Sequence, residues 1–141
     1  MKQLSPVPPD NAALTDESRW RYAVPQSIVY PESEAELQDV LRAAGLAKQA
    51  VYAQGAKTGL TSASIPATPS SVLVSFAQYP ATLEYLPLND GLGVVRLTPS
   101  VTLKQLDEFL RPLGLIFPPN PTETSAMLGG AIACNASGSR S

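Results

Sequence analysis

The stretch Met127-Leu128-Gly129-Gly130-Ala131-Ile132-Ala133-Cys134-Asn135-Ala136-Ser137-Gly138 decides how the rest of the chain is read. Gly and Ala recur there between apolar residues, a composition that lets a backbone come close to something flat or bulky. Upstream, Gln54-Gly55-Ala56-Lys57-Thr58-Gly59-Leu60-Thr61 is a second such segment. Gly55 and Gly59 bracket three residues, so consecutive N–H groups can curl into an anion-binding nest beside the Thr58 and Thr61 hydroxyls and the Lys57 ammonium. A diphosphate suits that chemistry; an ordinary surface loop is the alternative.

The elements around these segments follow from local signals. Ser27–Tyr30 is a short strand closed by Pro31. Ser33 with Glu36 three residues on is a capping box, and Leu37, Val40, Leu41 and Ala44 recur at helical spacing up to Gly45, which is expected to end the helix. Ala50–Ala53 reads as a buried strand, so residues 28–53 form a β-α-β unit with parallel strands. The Gly55 loop then leaves the carboxyl end of a strand, where open α/β sheets bind ligands. Val72–Phe76 is a third strand, and Leu83–Leu88 and Gly93–Thr98 flank Asn89-Asp90-Gly91 as an antiparallel hairpin. Thr102 with Gln105 repeats the capping box, and Leu103, Leu106, Phe109, Leu110 and Leu113 line one helix face up to Gly114. Leu115–Phe117 runs into the stiff Pro118-Pro119-Asn120-Pro121 passage. At the other end, residues 1–14 are Pro-rich and expected to be extended. Thr15 or Asp16 is expected to cap a short helix through Trp20 to Ala23, with Arg19, Trp20 and Arg21 as its surface and packing residues.

Composition narrows the function classes. The 141 residues, 44% hydrophobic and 16% charged with net charge −2, describe one globular unit and favour neither nucleic acid nor an anionic membrane. His is absent, which removes imidazole chemistry and histidine metal sites; no metal is expected. Cys134 is the only cysteine, so no internal disulfide forms, a reducing cytoplasmic setting is the simpler reading, and the thiol is expected to be a small core residue. Met1–Asn11 lacks the apolar run of a signal peptide, and no stretch approaches the roughly 18 apolar residues of a transmembrane helix. Gly55-Ala56-Lys57-Thr58 lacks the Gly that precedes Lys in a nucleoside-triphosphate loop, and no G-x-G-x-x-G follows a strand.

Taken in order, Pro31-x-Ser33-x-x-Glu36, Gln54-Gly55-x-x-Thr58-Gly59, Thr98-Pro99-Ser100-Val101-Thr102-Leu103 and Leu128-Gly129-Gly130-x-Ile132-Ala133-x-Asn135-Ala136-x-Gly138 resemble the FAD-binding domain of the flavin-linked oxidases, the vanillyl-alcohol oxidase / p-cresol methylhydroxylase superfamily. The tail 135–141 is most similar to the branch of glycolate oxidase flavin subunits and D-lactate dehydrogenases. Departures are visible: Ser62-Ala63-Ser64 where the family's loop continues with a Gly pair, Pro99-Ser100-Val101 for its Pro-Gly-Val, Ala131 for a frequent Asn and Met127 for a frequent Thr.

The resemblance implies an α+β fold: the first subdomain of a p-cresol methylhydroxylase-type FAD-binding domain, a small mixed parallel/antiparallel sheet flanked by helices, plus the start of the second subdomain. The implied divisions are 1–26 as an N-terminal extension with a short helix, 27–98 as the first FAD-binding subdomain and 99–141 as the start of the second, truncated. It implies non-covalent FAD, with Gln54, Gly55, Ala56, Lys57, Thr58, Gly59, Leu60 and Thr61 as the pyrophosphate loop. Gly129, Gly130, Ala133, Asn135, Ser137 and Gly138 match the second FAD-lining segment, and Pro121 the proline before it. Arg140 is a candidate for a phosphate or carboxylate contact. No catalytic residue can be carried over. The activity implied is hydride transfer to FAD from a small 2-hydroxy acid such as glycolate or D-lactate. The alternative is a truncated or split-subunit FAD-binding module with no catalysis of its own, completed by a second chain or self-associating through uncovered apolar surface and a sheet edge. A non-flavin nucleotide module accounts only for the Gly55 loop.

Overall fold

A computed structural model of the chain describes residues 1–119 and 121–138; Asn120 of the proline passage and Ser139-Arg140-Ser141, with the candidate contact Arg140, lie outside the described residues. The chain divides into two compact units, Met1–Tyr79 and Pro80–Ser141.

The first unit is a four-stranded mixed sheet. Its strands are β1 (Lys2–Leu4), β2 (Ser27–Tyr30), β3 (Ala50–Gln54) and β4 (Ser71–Ser75), in the order β1-β2-β4-β3. β1 runs antiparallel to β2, and β2 and β3 both run parallel to β4. Because side chains alternate across a pleated sheet, Ile28 and Leu73 bury one face against Val7 and Leu14 of the N-terminal segment. Val29, Val72 and Val74 bury the other against Val40 of helix α1 (Glu34–Leu46). Central β4 is buried along its whole length, whereas β3, expected to be buried, is an edge strand with Ala50, Val51 and Ala53 exposed.

Three local expectations are corrected in this unit. Helix α1 runs past Gly45 and closes with Lys48 at φ 52°: Lys48 N–H donates to the Gly45 carbonyl (3.1 Å) and Gln49 N–H to the Ala44 carbonyl (2.9 Å), the Schellman pattern with Lys where glycine is usual. At its start Ser33 Oγ accepts from Glu36 N–H, but the Glu36 carboxylate is taken by the Met1 amine and the Glu32 amide, so only half of the capping box forms. Residues 15–23 form no helix. A 3-10 helix lies just ahead, at Ala12–Leu14, capped by Asn11, and Asp16 Oδ1 accepts from Ser18 N–H at 2.9 Å, an Asx turn that uses the carboxylate expected to start a helix.

The second unit is a hairpin of β5 (Leu83–Pro87) and β6 (Gly93–Leu97), helix α2 (Leu103–Leu110) and short helix α3 (Leu128–Ala133). The hairpin forms where Asp-Gly predicts it, through a 3-10 turn at Asn89–Gly91. The Thr102/Gln105 capping box is complete, and α2 ends through a 3-10 turn at Gly114, φ 69°. Leu103, Leu106, Leu110, Val101 and Leu128 form its core, against which Leu83, Val95 and Leu97 of the hairpin pack. Leu113, expected on the packed face, is about half exposed. No helix among the described residues is long and apolar enough to cross a membrane.

Candidate functional site

The Gly55 loop leaves the carboxyl end of β3, as the β-α-β reading requires. Among the described residues, the backbone amides of Ala56, Thr58, Gly59 and Leu60 donate to no acceptor of the chain, and the loop is half-buried at residues 55–58 and exposed at 59–61. Unspent donors on a curled backbone suit a diphosphate. The curl does not come from the glycines. Lys57 (φ 64°) and Ser62 (φ 53°) take the left-handed conformations, while Gly59 does not. Ser62 belongs to the Ser62-Ala63-Ser64 run that stands where the family's loop continues with a Gly pair, and it holds a left-handed conformation that glycine would adopt at less cost.

The loop is braced from behind by the N-terminal segment. Gln54 is 2% exposed, and its Nε2 donates to the carbonyls of Ala13 (2.8 Å) and Ser64 (3.3 Å). Its side chain is thus spent inside the fold. Lys57 Nζ donates to the Ala12 carbonyl at 2.9 Å, and the Lys57 carbonyl accepts from Glu17 N–H. Buried Asp16 accepts from Ser18 N–H and from Ser64 Oγ. Asn11, Asp16 and Tyr22, whose Oη lies 3.0 Å from Ser62 Oγ, are participants that sequence reasoning missed. The signal was present in part, since Asn and Asp side chains readily accept from the backbone two residues on, as Asn11 does from Ala13 and Asp16 from Ser18.

In the second unit, residues 124–129 pair with 99–104: Leu103 N–H donates to the Ala126 carbonyl, Leu128 N–H to the Val101 carbonyl and Gly129 N–H to the Pro99 carbonyl (3.0, 2.8 and 3.1 Å). The two glycines then differ. A Cβ on Gly129 would lie 2.5 Å from Pro99 Cβ and 3.0 Å from its backbone, so Gly129 is required by packing within the unit. A Cβ on Gly130 would meet nothing within 4 Å. Gly130, Ala133, Asn135 and Ser137 are exposed, and Gly129 and Gly138 half-buried.

Asn135, at φ 48°, is the left-handed closing residue of α3. Asn135 N–H donates to the Ile132 carbonyl and Ala136 N–H to the Ala131 carbonyl, a second Schellman pattern. Pro121 and Asn135 line one shallow groove of about 210 Å³ with Leu103, Phe117, Leu128 and Ile132. Cys134, expected in the core, is exposed, because α3 is a single short helix that buries Leu128 alone.

The first unit is thus a mixed sheet in which a loop with open backbone amides leaves the carboxyl end of a parallel strand. Cholesterol oxidase from Brevibacterium sterolicum shares the fold, with a TM-score of 0.78 over 96% of this chain and 27% of its own at 16% identity. Residues 25–141 match the FAD binding domain family, and the chain belongs to that family. FAD is its cofactor.

Among curated relatives, the D-2-hydroxyglutarate dehydrogenase of Stutzerimonas stutzeri is 33% identical over 91% of this chain and 27% of its own length. The D-lactate dehydrogenase of Archaeoglobus fulgidus is 32% identical over 99% of this chain and 31% of its own. The chain thus spans under a third of the length of these relatives.

Proposed function

We propose that this chain is the FAD-binding portion of a flavin-dependent oxidoreductase acting on a small 2-hydroxy acid of the D-lactate, D-2-hydroxyglutarate or glycolate type. The observation that carries the reading is the loop of unspent amides after β3 in a chain related to enzymes of that substrate class. Bound FAD supplies the hydride acceptor; the protein's part is to hold and tune it. The amides of residues 55–60 serve as phosphate donors, with the Thr58 and Thr61 hydroxyls beside them. Gln54 positions the loop through its bonds to Ala13 and Ser64. Gly130, Ala133, Asn135, Ser137 and Gly138 let the cofactor approach the backbone, with Gly129 and Pro121 shaping that segment. Non-covalent attachment is part of the proposal; the absence of His leaves no histidyl-flavin bond within this chain. An exposed, unpaired thiol also supports a cytoplasmic setting.

A second reading is favoured by the exposed β3 edge and by Leu46 and Ile132, 82% and 70% exposed: a cofactor module inactive by itself and completed by a second chain or by self-association. Anaerobic addition of D-lactate, D-2-hydroxyglutarate or glycolate to the FAD-loaded chain separates the two. Bleaching of the flavin absorbance supports the first; bound flavin that no 2-hydroxy acid bleaches supports the second. Flavin released by denaturation without proteolysis confirms the non-covalent attachment, and flavin that stays with the polypeptide refutes it.

A further inference from the structure

Trp20 is the only tryptophan of the chain, and it stacks on Tyr22 with ring planes 4° apart and centroids 6.1 Å apart. Both stay exposed, Trp20 by 62% and Tyr22 by 56%. Large aromatic side chains ordinarily gain by burial, so a parallel pair left open to solvent offers a π face that no part of the described chain uses. The pair is fixed beside the phosphate-binding loop by three tethers: Tyr22 Oη to Ser62 Oγ (3.0 Å), Glu17 N–H to the Lys57 carbonyl (3.2 Å) and Ala23 N–H to the Pro66 carbonyl (3.1 Å). Arg21, next to Trp20 in sequence, is itself held by the Pro9 carbonyl at 2.9 Å, a further tie on this segment.

We propose that the exposed face of Trp20 is a stacking subsite for an aromatic ring carried on the diphosphate at the Gly55 loop, namely the adenine or the flavin ring of FAD. The proposal rests on the FAD reading of that loop. An aromatic plane accepts either ring, because stacking needs a π face and no particular hydrogen-bond pattern.

The test is titration of FAD into the 141-residue chain and its Trp20→Ala and Trp20→Phe variants, with melting of each ligand-free protein alongside. Trp20→Ala is expected to weaken FAD roughly tenfold, Trp20→Phe by no more than about threefold, with ligand-free melting unchanged. ADP and FMN assign the ring. If adenine stacks, ADP alters Trp20 emission and loses affinity in Trp20→Ala; if the flavin ring stacks, Trp20→Ala weakens FAD and FMN and leaves ADP unchanged. FAD affinity unaltered in Trp20→Ala overturns the subsite while leaving the FAD reading intact. A loss of affinity that tracks a lowered ligand-free melting temperature and is not rescued by Phe marks a structural role and also overturns it. Failure of the unsubstituted chain to bind FAD overturns both.

Discussion

At the residue scale, the two adjacent glycines of α3 separate packing from ligand access. Gly129→Ala drives a methyl group into Pro99, so a destabilisation of about 1–3 kcal/mol is expected, read as a lower denaturation midpoint. Gly130→Ala places the same group in open space on a helix, so stability should hold or rise by up to about 1 kcal/mol. If Gly130 borders the cofactor, a bulky residue there costs FAD affinity while melting of the free protein stays near that of the parent. Lys48 offers the converse case. It sits at φ 52° at the end of α1, so Lys48→Gly should stabilise the chain by up to about 1 kcal/mol in chemical denaturation, and an unchanged or lower midpoint would contradict this. Sequence reading identified Gly130 as a small-residue position but had no means of telling it from Gly129, because the difference is made by Pro99, thirty residues away.

At the scale of elements, legibility followed the range of the interaction that builds each one. Helices α1 and α2 were readable because Ser33 and Thr102 signal their starts within four residues, and the Schellman closure at Gly114 is equally local, whereas α3, whose N-cap Met127 makes no side-chain hydrogen bond, was not read as a helix. The strand β1 was missed because Lys2-Gln3-Leu4 carries no periodicity and exists only through pairing with Ile28–Tyr30. The exposure of β3 was hidden for a similar reason: Ala50–Ala53 looks apolar, but the insertion of β4 beside β2 pushes β3 to the edge. Asp16 was misread because an Asx turn and a helix cap draw on the same carboxylate.

The turn ahead of α3 is held by a carboxylate, so its stability is expected to vary with pH. Glu123 Oε1 accepts from Ser125 Oγ (2.6 Å) and Ser125 N–H (2.9 Å), and these bonds, the hydroxyl's foremost, hold the carboxyl below its ordinary value. A depressed folded-state pKa stabilises the turn above the ordinary Glu range and ceases to do so as pH falls through the depressed value. Amide exchange at Ser125 should therefore accelerate in acid relative to its intrinsic rate. Glu123→Gln should remove that pH dependence, and an exchange rate that follows intrinsic chemistry throughout would contradict the assignment.

At the scale of the whole molecule, membership of the FAD binding domain family gives the cofactor, and the amide loop after β3 is the place proposed for its diphosphate. The family was legible early, since the order of four short motifs named it; the spacing of Gly55 and Gly59 is what proposes the loop as the diphosphate site. What the sequence concealed is how the loop is held. Its left-handed residues are Lys57 and Ser62, and its support comes from Asn11, Ala12, Ala13 and Asp16, a segment with the composition of a tail. Ligand that binds only the folded state raises its stability by RT ln(1 + [L]/Kd), about 2.7 kcal/mol at a hundredfold excess over Kd, so cofactor binding must appear as melting temperature as well as signal.

The most direct test is titration of the chain with FAD, following flavin fluorescence and melting temperature in the same samples. The account predicts saturable binding with a melting temperature that climbs with FAD concentration, both abolished by a bulky residue at Gly130 whose own ligand-free melting is unchanged. Flavin fluorescence and melting temperature that stay constant up to millimolar FAD would contradict it.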